Sequence, residues 1–533
     1  MSFRDYISTH QTATASREED AILAAVDDRG HMTALPQWTE PAEKRGLDPL
    51  GIQNSGVVLY QALLPGISNV TLRIRYYGFY CWLSDAYAHH EGSTNLEDWR
   101  RWVRRGEALY ALVSSAAGGE GGVGGIDWAN SRLSLKETEI DFAEASSTDA
   151  KVSRYLRQSM GVFGGAYYSQ MVETGLFERG SHGIPKATIG AGLKSANAFR
   201  EAVGPDVEDL LIAKIQSARV TSDELIALRA LTPSNISDTS SERESYEQIL
   251  FPVGDGAKDQ SRRATLLLLL RVSAALSKRP DPDDIRWYLF KNADTGYSDP
   301  LERQRLRWET YQVHDLFQVA AAGLLSWSIA LMAELDGGLE FGQISALATD
   351  RLEGADPSSS RGSWKNFSDS LSSKDDDFQA WSQSVAGRRH APDKIWDVIK
   401  LIAALYDRVN KRRDLAAEVD RSFPIHAHSR SVRTELIWFR EREDQPLVEV
   451  IADYLMQRVV RRHTWVAMQK LRRQKDYTFL FEVHDGRLSR RADYLPVQTT
   501  PRLAPAVQFL ADIKLLAADG LTARGRRLLE GVL

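Results

Sequence analysis

NVTLRIRYYGFYCWLSDAY, residues 69–87, carries apolar side chains at Leu72, Tyr76, Phe79, Leu83 and Tyr87. Steps of four, three, four and four follow the period of a helix, not the alternation of a strand. Ile74, Tyr77 and Cys81 widen the apolar side, so a helix buried over most of its surface is expected. Asn69 is its expected N-cap. Arg73 and Arg75 fall in the first turns, where the helix dipole disfavours cations. Each therefore needs a carboxylate, a backbone carbonyl or a phosphate, and a structural ion pair is the first expectation. The stretch offers no nucleophile–base pair, and its aromatics read as core.

Working outward, DWRRWVRRGEALYALVSSA (98–116) is a second helix, and further helices centre near residues 270, 287 and 325. The expected fold class is mainly α, in several domains. A chain of 533 residues has room for several cores. Its 43% hydrophobic and 26% charged content is that of a globular protein, not of a disordered chain. Polar residues 1–45 read as an N-terminal arm. Residues 46–230 form a helical domain, 231–355 a helical middle domain, 356–379 a Ser/Asp-rich linker, and 380–533 a basic C-terminal domain. Within the middle domain, 231–262 reads as a long surface connection.

The net charge of −5 excludes a chain that coats nucleic acid over its whole surface, so phosphate binding would need a local patch. The single cysteine excludes an intramolecular disulfide and reads as a small buried hydrophobe. A reducing, cytoplasmic compartment fits this usage. The opening MSFRDYISTHQTATASREED has no apolar segment suited to export. Residues 264–276 are interrupted by Arg271, and the apolar run 317–332 is shorter than the roughly 20 residues a bilayer needs. Both read as buried helices, and no membrane contact is expected.

The local patch lies in RVVRRHTWVAMQKLRRQKDYTFLFEVHDGRLSRR, residues 458–491. Arg458, Arg461, Arg462, Lys470, Arg472, Arg473, Lys475, Arg487, Arg490 and Arg491 face only Asp476, Glu482 and Asp485, a local charge of +7. The pattern is an amphipathic helix followed by a hairpin, with Asp485–Gly486 as the turn. Together they are expected to present one positive surface, which phosphates would reward through counterion release. A solvated helix face, or a surface for an acidic protein, explains the same residues.

The end of the chain, APAVQFLADIKLLAADGLTARGRRLLEGVL, has an apolar helix, an Asp519–Gly520 turn, and then Leu521, Thr522, Gly525, Leu528 and Leu529. This pattern resembles the terminal part of winged-helix proteins. MVETGLFERGSHGIPKATIGAGLKSANAF repeats the order more loosely, with Thr188 and Gly192 in place of Thr522 and Gly525. The resemblance covers residues 171–200 and 501–533 and implies small winged-helix-like α/β elements. Many winged helices bind DNA and others are protein-contact modules, so the fold alone does not fix the ligand.

Signals for catalysis are sparse. The glycine-rich GGEGGVGG (118–125) lacks the following Gly-Lys-Ser/Thr of a phosphate-binding loop. There is no HExxH, no cysteine pair for zinc and no GxSxG elbow. His426 and His428 could supply two metal ligands but have no obvious companions. LSLKETEIDF offers Lys136, Glu137, Glu139 and Asp141, a set from which a metal-dependent nuclease could be built; a charged edge strand explains them as well. No cofactor is expected. The sequence thus points to a DNA-binding scaffold or assembly subunit of a bacterial DNA-transaction or genome-defence complex, contacting double-stranded DNA through phosphates. Protein partners or self-association are expected beside it. The alternatives are a protein-interaction subunit that does not touch DNA, and the nuclease.

Overall fold

A computed structural model describes residues 48–531, except 148, 150, 151, 153, 154, 157, 292–297, 336, 357–360, 372–373, 387–393 and 427. The expected arm, 1–45, lies outside the described residues. The fold is mainly α, with only short antiparallel sheets.

Its axis is the 34-residue helix Asp299–Met332. Pro300 in the first turn and Asp299 and Glu302 beside the N-terminus favour its start. Length and composition would let this helix cross a membrane, but 94% of its apolar window is buried inside the protein. Helices Gln53–Leu63, Ala257–Leu276, Pro282–Lys291, Ile395–Lys411 and Arg413–Ser422 pack around it.

A stripe of buried polar groups runs along this helix, and each is satisfied from a distant part of the chain. The Gln304 amide donates to the carbonyls of Leu63 and Ser261 and to Thr265 Oγ1. Glu309 accepts from Arg305 on its own helix and from Arg408 and Arg412, at 2.6–2.9 Å. His314 Nε2 donates to the Ile52 carbonyl, and its Nδ1 accepts the Val432 N–H. Asp315 binds Arg286 at 2.5 Å and accepts from the Thr499 N–H and hydroxyl. Gln318 reaches the Val497 carbonyl. A buried charge left without its partner costs several kcal/mol, so the stripe fixes which segments may pack here.

The aromatic helix runs from Arg75 to His90 and is buried continuously from Arg75 to Ser84. It starts later than the pattern predicts. Asn69 is not its cap; the Asn69 amide donates to the Thr500 carbonyl, and Leu72 is 41% exposed. The two arginines are internal. Arg73 binds Asp512 and Glu120, and Arg75 binds Glu242 at 2.9 Å with both side chains buried. Glu242 belongs to helix Ser241–Leu250, so part of the expected surface connection 231–262 is core. Likewise, helix Trp364–Ser370 arises within the expected linker, and its Trp364 stacks on Phe439 with centroids 4.4 Å apart.

Two stretches share one helix–hairpin–helix unit. The first comprises Tyr168–Glu173, the strands Phe177–Arg179 and Pro185–Ala187, and Ala191–Val203. The second comprises Leu503–Asp512, the strands Leu516–Ala517 and Gly520–Leu521, and Ala523–Glu530. Their hydrogen bonds correspond. The N–H groups of Thr188 and Thr522 donate to the carbonyls of Leu176 and Leu515, at 3.0 and 3.2 Å. Their hydroxyls accept the N–H of Gly192 and Gly525, at 3.0 and 3.1 Å. A Cβ on Gly192 would lie 2.5 Å from the Leu176 oxygen, and one on Gly525 2.3 Å from the Leu515 oxygen, so both positions require glycine. In the second unit Leu503–Asp512 is buried along most of its length and cannot enter a DNA groove as it stands.

Changing Glu309 to Gln leaves three arginines around a neutral group and is expected to cost about 3–5 kcal/mol. Arg412→Met, on the partly exposed side of the cluster, is expected to cost less than about 2 kcal/mol. Urea denaturation followed by circular dichroism measures both.

Candidate nucleic-acid interface

The basic region begins on one long helical run. Helix Leu447–Tyr454 passes through a π-helical stretch, Leu455–Val460, into helix Arg461–Gln474. His463, Val466 and Ala467 form the buried side of the last helix. Arg461, Trp465, Met468 and Arg472 are exposed and are separated by four, three and four residues. They form a single stripe along the opposite side. Lys475 closes the helix in the left-handed region, φ 57°, and Arg473 precedes it in the last turn.

The ten basic residues divide into three groups. Arg461, Arg472, Arg473 and Lys475 are exposed and have no carboxylate partner among the described residues. Arg487 is also exposed, and its side-chain polar contact among the described residues is to the Gly337 carbonyl at 3.5 Å. Two others hold the backbone. Arg462 donates to the carbonyls of Leu50 and His428 and lies over Trp465, 4.3 Å from the ring centroid; Lys470 donates to the Asp48 carbonyl. Three are neutralised by carboxylates. Arg458 binds buried Glu435 at 2.5 Å, Arg490 binds Asp493 at 3.2 Å, and Arg491 binds Glu482 at 3.3 Å.

The hairpin forms as expected, with Asp485 and Gly486 both at positive φ in the turn. It is not a free wing. Strand Arg487–Arg490 lies between Phe481–His484 and Leu339–Glu340, and Leu488 is buried. The hairpin is anchored through the Leu480 N–H to His463 Nε2 and through Phe481 packed on the same ring. His463 lies on the side of the helix opposite the exposed stripe. The single positive surface expected from helix and hairpin is therefore divided.

Sequence patterns gave no sign of the clasp that this helix makes on residues 48–52. Lys470, His463, Arg462 and, from the central helix, His314 bind the carbonyls of Asp48, Pro49, Leu50 and Ile52. His314 and His463 are neutral bridges that each donate from one ring nitrogen and accept a backbone N–H at the other. Burial pushes both imidazoles down to about 4.

The other candidate residues do not converge. Glu139 and Asp141 point outward from a short strand and face Arg219, while Glu137 binds Arg132. Lys136 sits in the left-handed region before that strand. His426 and His428 are exposed, and the His428 ring stacks on Trp465. No group of three or more metal-ligating side chains occurs among the described residues. Comparison with protein-family models, curated proteins and solved structures gave no match.

The buried histidines set an acid limit. Their pKa is near 4 in the folded chain and about 6.5 when unfolded, so protonation favours unfolding. Their stabilising contribution is complete above pH 6.5 and is lost as the pH falls toward 4. At pH 5 each is expected to have lost about 2 kcal/mol. A His314→Gln/His463→Gln chain should show a flatter dependence of its urea midpoint between pH 7 and 5.

Proposed function

We propose that the chain is a DNA-binding scaffold or assembly subunit that contacts duplex phosphates along the outer side of helix Arg461–Gln474. The observation that carries this reading is the exposed set Arg461, Arg472, Arg473 and Lys475, which no carboxylate neutralises among the described residues. From Arg461 to Arg472 the helix rises about 16 Å, and a duplex presents one charge per ~1.7 Å of its axis. Such contacts hold the backbone and carry little base specificity. A bacterial DNA-transaction or genome-defence assembly is the proposed setting.

One observation favours a protein partner as the second reading. Trp465 and Met468, 38% and 42% exposed, lie on the same stripe between the arginines. An aromatic anchor flanked by arginine is a common composition for a binding hot spot. Salt separates the two readings, because phosphate contacts weaken steeply with ionic strength.

Fluorescence anisotropy with a random-sequence 20-base-pair duplex is the test. The wild-type chain is expected to bind with a steep slope of log K on log salt. Arg472→Ala/Arg473→Ala/Lys475→Ala should reduce that slope by up to about 3. Arg490→Ala/Arg491→Ala should leave it nearly unchanged. Absence of binding at low salt, or an unaltered slope in the triple variant, rejects the reading.

A further inference from the structure

A cleft of about 440 Å³ opens beside the basic helix, where Ile425, His428, Ser429 and Arg430 meet helix Val432–Arg440 and the π-helical stretch. His428, Arg430, Trp438, Gln457, Arg458 and Arg462 are among its lining. Beneath it lies Glu435, whose carboxylate is already saturated. It takes both arginines, Arg430 and Arg458, together with the hydroxyls of Tyr454 and Thr434. These contacts hold Glu435 down at about 2, despite complete burial.

The cleft retains positive charge after this pairing. Glu435 is one carboxylate for three guanidiniums, since Arg462 also borders the cleft. The rim carboxylate, Glu441, has Arg442 beside it at 3.4 Å. Among the described residues, the three arginines of the lining thus face two carboxylates, Glu435 and Glu441. Arg462 feels the imbalance: burial, and then repulsion from Arg430 and Arg458, push it down to about 10. Donors remain as well. Nη1 of Arg458 and Nη1 of Arg462 make no hydrogen bond among the described residues, because the bonds of both guanidiniums run through Nε and Nη2.

We infer that this cleft is a binding site for a phosphate monoester, gripped by Arg458 and Arg462, with its organic part beside Trp438 and His428. Guanidiniums match phosphate oxygens in geometry and charge. Two guanidiniums with unused Nη1 donors fit the three terminal oxygens of a monoester better than the two of a phosphodiester. The volume exceeds that of a bare phosphate and falls in the range of small-ligand pockets. The ester could be the 5′ end of a nucleic-acid strand or a free nucleotide. The site stands whether or not the exposed stripe engages duplex.

The test uses the full chain and two titrations. Calorimetry compares uridine 5′-monophosphate with uridine, and anisotropy compares a 5′-phosphorylated duplex with its 5′-hydroxyl counterpart. The phosphorylated member of at least one pair is expected to bind at least tenfold more tightly. Discrimination in the duplex pair alone assigns the site to strand ends; discrimination in the nucleotide pair alone assigns it to free nucleotides. Arg458→Gln leaves Glu435 paired with Arg430 and should remove the discrimination. Arg462→Lys keeps the charge but loses the fork and should weaken it about tenfold. Arg490→Ala/Arg491→Ala, outside both the cleft and the stripe, should leave it intact. Equal binding within both pairs by the wild-type chain overturns the inference, as does unchanged discrimination in folded Arg458→Gln.

Discussion

The central helix can be buried only if its polar groups find partners, and that requirement organises the molecule. Gln304, Glu309, His314, Asp315 and Gln318 draw in backbone or side chains from residues 52, 63, 261, 286, 408, 412, 432, 497 and 499. Apolar packing alone would tolerate many arrangements of these helices, because dispersion and area burial have little directional preference. A buried carboxylate tolerates very few. The Arg73–Asp512, Arg75–Glu242 and Arg430–Glu435 pairs extend the same logic outward.

What was legible in the sequence was local. The aromatic helix showed through its apolar period, and the hairpin through Asp485–Gly486. The threonine–glycine spacing marked two units whose hydrogen bonds proved to correspond. The charged interior was not legible, because its signals are shared between distant segments. Glu242 reads as one acid in a polar run until Arg75, 167 residues earlier, is placed against it. Asn69 looks like a cap but serves Thr500. In the basic region, helical period correctly aligns Arg461 with Arg472. It says nothing of Glu435, which takes Arg458 out of the exposed set, or of the residues 48–52 that occupy Arg462 and Lys470.

The repeated unit shows how a short motif can be kept while its surroundings change. One copy packs its second helix on the aromatic helix; the other buries its first helix and supplies Asp512 to Arg73. The one-residue difference in threonine–glycine spacing is absorbed without losing a bond, since the glycine N–H meets the hydroxyl in both. What is constant is the approach of a glycine to a leucine carbonyl, which no other residue permits.

The clasp on residues 48–52 and the Arg73–Asp512 pair also bear on biosynthesis. Arg73 meets Glu120 early but leaves the ribosome 439 residues before Asp512 exists. At translation rates of about 5–20 residues per second, that is a wait on the order of 20–90 s. During this interval the aromatic helix already has Glu120, Glu242 and the rings of Tyr110, Phe163, Tyr167 and Phe199 as partners, and the contacts that wait are those with Asp512 and Phe509. Arg73 is thus held by one of its two carboxylates until the second repeated unit has been made. Joining distant segments through buried charge therefore delays the closing of this one ion pocket and leaves the aromatic core free to assemble first.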